Sequence, residues 1–453
     1  MMDRRKFFKI AAGATTGLML SNNLALGKEA TGRAAKRPNV LLIVSDNQNP
    51  NTIAALGNRY IKTPNLDRLV KEGLAFNNAY FMGSTMGATC MPSRTMLMTG
   101  RTLLNIPLDK LERCEECAAA DPITGIANLP LTLKEVGYNT IRTGKSGNYP
   151  LFVAEEFHKN IIVSRSENGS ERQADNAIEF LGNQTPENPF FLYVAFAAPN
   201  DPHVGTGTAP KKYIDMYKPG DVPAPPNFLP EHPFDNGELR IRDEMLAPWP
   251  RTKKIIEEHL AGYHSVITYM DHQIGRILEA LEKTGQYDNT IVIFASDTGT
   301  AIGSHGLMGM QNLYEHSVGV PLVFSGPGIP KGETSDALVY LFDVFPTICD
   351  LVGLEIPEGV DGKSLGPVMR HKTEKVRELV FTTYKNVQRA VRDERWKLIR
   401  YPQVNETQLF DLKNDPHEIN DLAEDPAHAP RVKEMTEHLL KWQRKLGDNV
   451  PLS

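Results

Sequence analysis

Two short stretches of the chain end in a carboxylate in the same way. Val44-Ser45-Asp46-Asn47 and Ala295-Ser296-Asp297-Thr298 each close an apolar run with an acid and a polar neighbour. Oxygen donors of this kind suit a hard divalent cation. Either acid alone could equally cap the loop that follows it. A third stretch is more specific. Cys90-Met91-Pro92-Ser93-Arg94-Thr95-Met96-Leu97-Met98-Thr99-Gly100-Arg101 reads as a nucleophile opening a helix. Pro92 fits the first turn and Gly100 can end the helix. Cys90 and Arg94 are one turn apart and share a face. The helix dipole and Arg94 are therefore expected to stabilise an anion at Cys90. Cys114-Glu115-Glu116-Cys117 cannot close a zinc site alone and reads as a local disulfide or as two surface thiols. Cys349 lies in an apolar helical stretch and reads as core. The 12 histidines show no paired metal-ligand spacing.

These residues need elements to hold them. Val40–Val44, Phe190–Ala197, Ile291–Ala295 and Val320–Phe324 are apolar runs without alternation, the pattern of buried parallel strands; Asn139–Thr143 is a weaker fifth. Thr63-Pro64 reads as an N-cap and first helical residue before Leu66–Glu72, with Gly73 as the stop. Tyr263, Ile267, Met270, Ile274, Ile277 and Leu281 recur at helical spacing, closed by Gly285. Strands alternating with helices predict a doubly wound α/β sheet, which presents ligands beyond the carboxyl ends of its strands. Pro199–Pro250 is proline-rich and reads as a long irregular rim over a site. Beyond a break near His371 come strand-like Leu379–Thr383, Trp396–Tyr401 and Gln408–Asp411, then a helix from about Pro430 to Leu446: a small α+β subdomain.

The 453 residues are 41% hydrophobic and 23% charged, which excludes a disordered, fibrous or multi-span membrane protein. A net charge of −5 implies no broad basic surface for nucleic acid, and 4 cysteines exclude a disulfide scaffold. Asp3-Arg4-Arg5-Lys6-Phe7-Phe8-Lys9, the small-residue apolar run Ile10–Leu20 and Ala25-Leu26-Gly27 read as a twin-arginine-type signal peptide over residues 1–27. The expected location is periplasmic or secreted. The apolar run is too short to span a bilayer.

Cys-x-Pro-Ser-Arg followed by Thr-Gly-Arg resembles the signature of the formylglycine-dependent (type I) sulfatases of the alkaline phosphatase superfamily. The resemblance extends over most of 38–450. It includes Asn39–Gln48, Ile61–Asp67, Gly137–Lys145, Gly303-Ser304-His305-Gly306, Asn312-Leu313-Tyr314-Glu315, Gln408–Leu412 and Asp415-Pro416-His417-Glu418. It implies a large doubly wound mixed sheet over residues 37–370, alkaline phosphatase-like, with the smaller α+β subdomain over 371–453. It also implies a sulfuric ester hydrolase acting on sulfated small molecules or glycans, with Cys90 oxidised by a maturase to formylglycine, the nucleophile in hydrated form. A divalent metal, usually Ca²⁺, polarises nucleophile and ester in such enzymes. By position, Asp46, Asn47, Asp297 and Thr298 are the expected metal residues. Arg94 would hold the nucleophile and metal-side charge, Lys145 would contact sulfate, and His203 is the nearby candidate for proton transfer.

The departures from the family pattern are equally specific. Asn47 replaces an acid, and Thr298 stands where the family has Asn, His or Gln. Gly147 replaces the histidine of Lys-x-His, Asn200 the histidine of Pro-His, and Met310 a lysine. Asn200 and Met310 are thus expected at the substrate with weakened chemistry. Each change removes a charge, a proton donor or a strong ligand, so slow turnover is expected. Two rivals remain open: a non-catalytic binding protein on this fold, and a phosphatase or phosphonate hydrolase of the same superfamily.

Overall fold

Strand β1 (Asn39–Ser45) is buried along its whole length. Val40, Leu42 and Val44 face one apolar cluster and Leu41 and Ile43 another. A strand with two covered faces belongs at the centre of an α/β sheet. That is its position in a computed structural model, which describes residues 37–106, 125–145, 151–164, 169–185, 187–200 and 209–452. The other strands of this sheet are β2 (Gly73–Tyr80), β4 (Asn139–Lys145), β5 (Lys159–Val163), β6 (Phe190–Ala195), β7 (Thr290–Ser296), β8 (Leu322–Ser325) and β9 (Glu333–Tyr340). They run in the order β5-β4-β6-β1-β7-β8-β2-β9. All neighbours are parallel except β8, which is antiparallel to β7 and β2. The sheet is therefore the mixed α/β sheet expected. One face carries the 31-residue helix Lys253–Lys283 with Gly169–Gly182 and Pro64–Lys71. Helices Cys90–Thr99, Leu129–Glu135 and Val344–Leu351 line the other.

A second sheet runs β13-β12-β11-β10-β3. Its strands are β10 (Val380–Tyr384), β11 (Gln388–Arg392), β12 (Trp396–Tyr401) and β13 (Glu406–Asp411), with the two-residue β3 (Gly83–Ser84). Helix Ala429–Leu446 covers it through Met435 and Leu439. The inclusion of β3 was not foreseen. It pairs with β10 through Thr383↔Gly83 and Tyr384↔Ser84. The turn after β10 is thereby tied to the loop that leads into Cys90.

Several expectations change in detail. The strand from Phe190 stops at Ala195, and the strand expected at Val320–Phe324 is Leu322–Ser325. Thr63 precedes its helix but its side chain caps nothing. Its hydroxyl donates to Asp67 and accepts from the Ala54 amide, tying the helix to the preceding turn. Between residues 209 and 250 the proline-rich excursion holds only single-turn helices. The signal at 1–27, the Cys114/Cys117 pair, His203 and Gly147 lie outside the described residues. Among the described residues, no helix is long and apolar enough to cross a membrane.

Candidate active site

Register brings the two acids together. β1 and β7 are parallel, with Ser45 opposite Ser296, so Asp46 and Asp297 leave the sheet side by side at its carboxyl edge. The Asp297 amide donates to the Ser45 carbonyl at 3.1 Å. Asn47 then turns through a left-handed conformation, φ 64°, which asparagine tolerates better than most residues. Its amide donates to Asp297 Oδ1 at 3.1 Å. The next strands outward supply two more groups. β6 lies beside β1, and the chain beyond it delivers Asn200, whose Nδ2 donates to Asp46 Oδ1 at 2.5 Å. β4 lies beside β6 and ends in Lys145, whose Nζ donates to Asp46 Oδ2 at 2.8 Å. Four adjacent strand ends thus converge on one point.

The Cys90 helix is docked there by its own motif. Gly100 closes it at φ 65°, with its amide donating to the Met96 carbonyl, a left-handed cap for which glycine carries no steric penalty. Ser93 Oγ donates to the Asp297 carbonyl at 2.6 Å. Arg94, fully buried, donates from Nε to Asp297 Oδ2 at 2.7 Å and from an Nη to Asp46 Oδ2 at 3.4 Å. Further bonds run from its guanidinium to the Phe196 carbonyl and the Tyr193 hydroxyl. Cys90 Sγ then lies 3.4 Å from Asp46 Oδ1 and 3.5 Å from Asn47 Oδ1.

The electrostatics correct one expectation. Arg94 is consumed by the two carboxylates rather than facing the sulfur. Burial, with Asp297 and Asp46 close by, pushes the Cys90 thiol well above its usual range. The unmodified cysteine is held as a thiol donating to oxygen rather than as a stabilised thiolate, because burial and the two acids outweigh Lys145 and Arg94. The two acids differ from each other. Burial alone would raise Asp46, but Lys145 and Arg94 outweigh it and hold the carboxyl below its usual range. Burial and the Asp46 charge push Asp297 up to about 6 despite Arg94.

Asp46, Cys90 and Asp297 each offer a ligand atom within 4.8 Å of the others, the one such group of acids, cysteines and histidines among the described residues. Two buried carboxylates, one of them raised by the other's charge, together with the Asn47 amide oxygen, fit a hard divalent cation. Thr298 works through a neighbour: its hydroxyl donates to Asn47 Oδ1 at 2.8 Å. Met310 lies with Cys90, Lys145 and Asn200 in the wall of one 380 Å³ pocket and brings no polar group there.

Three positioning residues escaped the sequence reading. Tyr263 Oη donates to the Asn47 carbonyl and accepts from the Asn49 amide, both at 2.8 Å. Ser296 Oγ accepts from the Gln48 amide at 2.8 Å. Arg142, buried in β4, donates to the Lys145 carbonyl at 2.6 Å. Ser296 adjoins Asp297 and could have been suspected. Tyr263 was read only as a helix-core position, and Arg142 carried no signal.

Comparisons with known proteins identify the family. The sulfatase family model matches residues 38–354, and the model described as N-sulphoglucosamine sulphohydrolase, C-terminal, matches 303–445. The chain is similar to an arylsulfatase of Clostridium perfringens, 28% identical over 89% of this chain and 94% of that one. It is similar to an N-acetylglucosamine-6-O-sulfatase of Bacteroides thetaiotaomicron, 25% identical over 92% of this chain and 88% of that one. A solved structure in complex with its substrate D-glucosamine-2-N,6-O-disulfate shares the fold, with a TM-score of 0.74 at 24% identity, covering 92% of this chain and all of that one. The converging strand ends, the Cys90 helix and a family match over most of the chain lead to one conclusion: this protein belongs to the sulfatase family.

Proposed function

We propose that the chain is an exported hydrolase of sulfate esters of carbohydrates, working at the pocket above Cys90. The observation that carries this is the convergence of Asp46, Asn47, Asp297, Arg94 and Lys145 on one buried helix terminus. Asp46, Asn47 and Asp297 would hold a divalent metal, Ca²⁺ by the family's habit. That metal would supply Lewis-acid charge, and formylglycine made from Cys90 by a maturase would supply the attacking hydroxyl.

The chain's own residues do the remaining work. Asp46 and Asp297 carry two negative charges, which Arg94 and Lys145 balance in the protein alone. A bound divalent cation would leave the centre net positive, which favours an anionic ester and the charge that develops as its S–O bond breaks. Arg94 holds both acids in register and keeps the helix terminus against them. Lys145, bonded to Asp46, lines the pocket where the sulfate would lie. Asn200 can donate to an ester oxygen but cannot transfer a proton. His203 is the side chain proposed to deliver a proton to the leaving alcohol. The name of the Bacteroides relative supports a sulfated sugar as substrate. Residues 1–27 would direct export to the periplasm or the medium.

The test is co-expression with a formylglycine-generating enzyme, peptide mass of the Cys90 segment, and sulfate release from sulfated sugars. Conversion with sulfate release supports the reading. A converted protein that binds sulfated sugars without releasing sulfate would be the binding-protein alternative. One that cleaves only phosphate or phosphonate esters would be the phosphorus hydrolase.

A further inference from the structure

Above the sulfate end, the same pocket is walled by charged groups from three distant parts of the chain. Glu238 and Arg242-Asp243 come from the proline-rich excursion, Gln311 from the segment after β7, and Tyr384-Lys385 from the end of β10. They form two linked sets. Glu238 accepts from Lys385 Nζ at 3.0 and 3.2 Å and from the Tyr384 hydroxyl at 3.0 Å. Asp243 accepts from Arg242 and from Gln311 Nε2. Both acids are nearly enclosed, the Glu238 side chain 16% and Asp243 8% exposed. Lys385 is fixed by its backbone: its amide donates to the Ser84 carbonyl at 2.7 Å, the tie created by β3.

Hydrogen-bond capacity shows what this wall can take. An ionised carboxylate has about four acceptor positions and an ammonium three donors. Glu238 uses three, Asp243 two, and Lys385 two of its donors. What remains is a mixture of acceptors and donors close together, which matches hydroxyl groups, since each can do both. Among the described residues of the wall, Glu238 is paired with Lys385 and Asp243 with Arg242. A second anionic group on the ligand would meet carboxylates already holding those cations. A quaternary ammonium would find one aromatic ring, Tyr384, rather than a cage.

We propose that Glu238, with Lys385 and Asp243, is the specificity-determining wall for the leaving alcohol, and that it selects a neutral, polyhydroxylated sugar ring bearing a single sulfate. This rests on the hydrolase reading above. A pocket of 380 Å³ is at the small end for ligand sites, which favours a single-ring ester over the interior of a polymer.

The test uses the full-length, formylglycine-bearing protein on three probe sets: monosulfated neutral hexoses and N-acetylhexosamines, glucosamine 2-N,6-O-disulfate, and 4-nitrophenyl sulfate. The parent is expected to prefer one of the monosulfated neutral sugars. In Glu238→Gln and Lys385→Met, the ratio of kcat/KM for that sugar to kcat/KM for the aryl ester should fall at least tenfold, and Lys385→Arg should recover part of it. Thermal midpoints of all variants identify any that fail to fold, and Lys385→Arg keeps the salt bridge if Lys385→Met does not survive. Equal loss on both ester types, or no loss, would overturn the assignment. So would a parent that prefers the disulfate or the aryl ester. A parent that releases sulfate from nothing would instead overturn the hydrolase reading.

Discussion

Two buried clusters, each of two carboxylates and two cations, differ in what surrounds them, and one of them is the proposed reaction centre. Asp46, Asp297, Arg94 and Lys145 sit at the carboxyl edge of the large sheet. Glu315, Glu418, Lys397 and Arg392 sit where the two sheets meet. Charge and composition do not separate them. The use of the oxygens does. In the second cluster Glu315 accepts from Lys397 at 2.9 Å, Arg392 at 2.8 Å and the Tyr80 hydroxyl at 2.6 Å. Glu418 forms an ion pair with the same Lys397 at 2.8 Å, and its Oε2 accepts from the Glu315 amide at 2.7 Å. Those bonds join β2 to β11 and β12 and close on themselves. In the first cluster, Asp46 Oδ1 faces the Cys90 sulfur and Asn47 Oδ1 lies beside it, around a point where a cation and an ester oxygen could meet. A buried ion cluster marks a site when its acceptors converge on a reactive group, and a clamp when its charges pair across elements with no reactive group among them.

Removing one cation from each cluster should have different consequences. Arg94→Met leaves two buried acids facing one another. Loss of one buried partner costs about 3–5 kcal/mol, and catalysis should fall by several decades because the nucleophile loses its register. Thermal midpoint and kcat/KM should both collapse. Lys397→Met should cost a similar 3–5 kcal/mol in unfolding free energy, yet leave kcat/KM of the folded protein unchanged. Equal kinetic effects in the two variants would erase the distinction.

A smaller effect should follow at Thr298. Thr298→Val removes the hydroxyl that fixes the Asn47 oxygen while keeping its shape. Loss of such outer support lowers metal affinity about 10–100-fold, which titration of the purified protein with Ca²⁺ would measure. Affinity equal to the parent would mean that Asn47 is not a ligand. In the opposite direction, Met310→Lys places a cation in the pocket wall and should raise turnover of 4-nitrophenyl sulfate. Its absence here is one reason to expect the parent to be slow, since one lost transition-state donor costs about 2.7–4 kcal/mol.

A further effect is a pH dependence of the clamp. Burial, with the Glu315 charge beside it, pushes Glu418 up to about 7 despite Lys397, whereas Lys397 and Arg392 outweigh burial and hold Glu315 at about 2. A carboxyl raised in the folded state binds its proton more tightly there than when unfolded. Its stabilising contribution is therefore full below about pH 4.5 and is lost as pH rises through about 7. The thermal midpoint of the parent relative to Glu418→Gln should fall across that window. A difference that is flat with pH would show that Glu418 is ionised throughout.

What could be read without coordinates follows physical rules. β1 and β7 are buried on both faces, so their sequences are continuous apolar runs and their ends are visible. The Cys90 helix carries its own punctuation in Pro92 and Gly100. Strands β9 and β11 were missed because Glu333–Asp336 and Gln388-Arg389 hold polar residues. β9 is an edge strand with one end in solvent, and the β11 polar groups are satisfied by partners far away in sequence, such as Arg389 with Asp448. The candidate site was legible in its members but not in its bonds. That Asp46, Asp297, Cys90 and Arg94 belong together could be inferred. That Arg94 faces the acids instead of the sulfur depends on the Ser45–Ser296 register, which no local pattern encodes.

The proposed seat of sulfate ester hydrolysis is Cys90, supported by Asp46 and Asp297. The most direct measurement is sulfate released from a monosulfated hexosamine by protein whose Cys90 conversion has been verified by peptide mass, with Ca²⁺ present and after chelation, in the parent and in Asp297→Asn. Release is expected from the converted parent, with loss on chelation and recovery on adding Ca²⁺, and none from the variant or from unconverted protein. Sulfate release from protein that retains the thiol, or undiminished release from Asp297→Asn, would contradict the proposal.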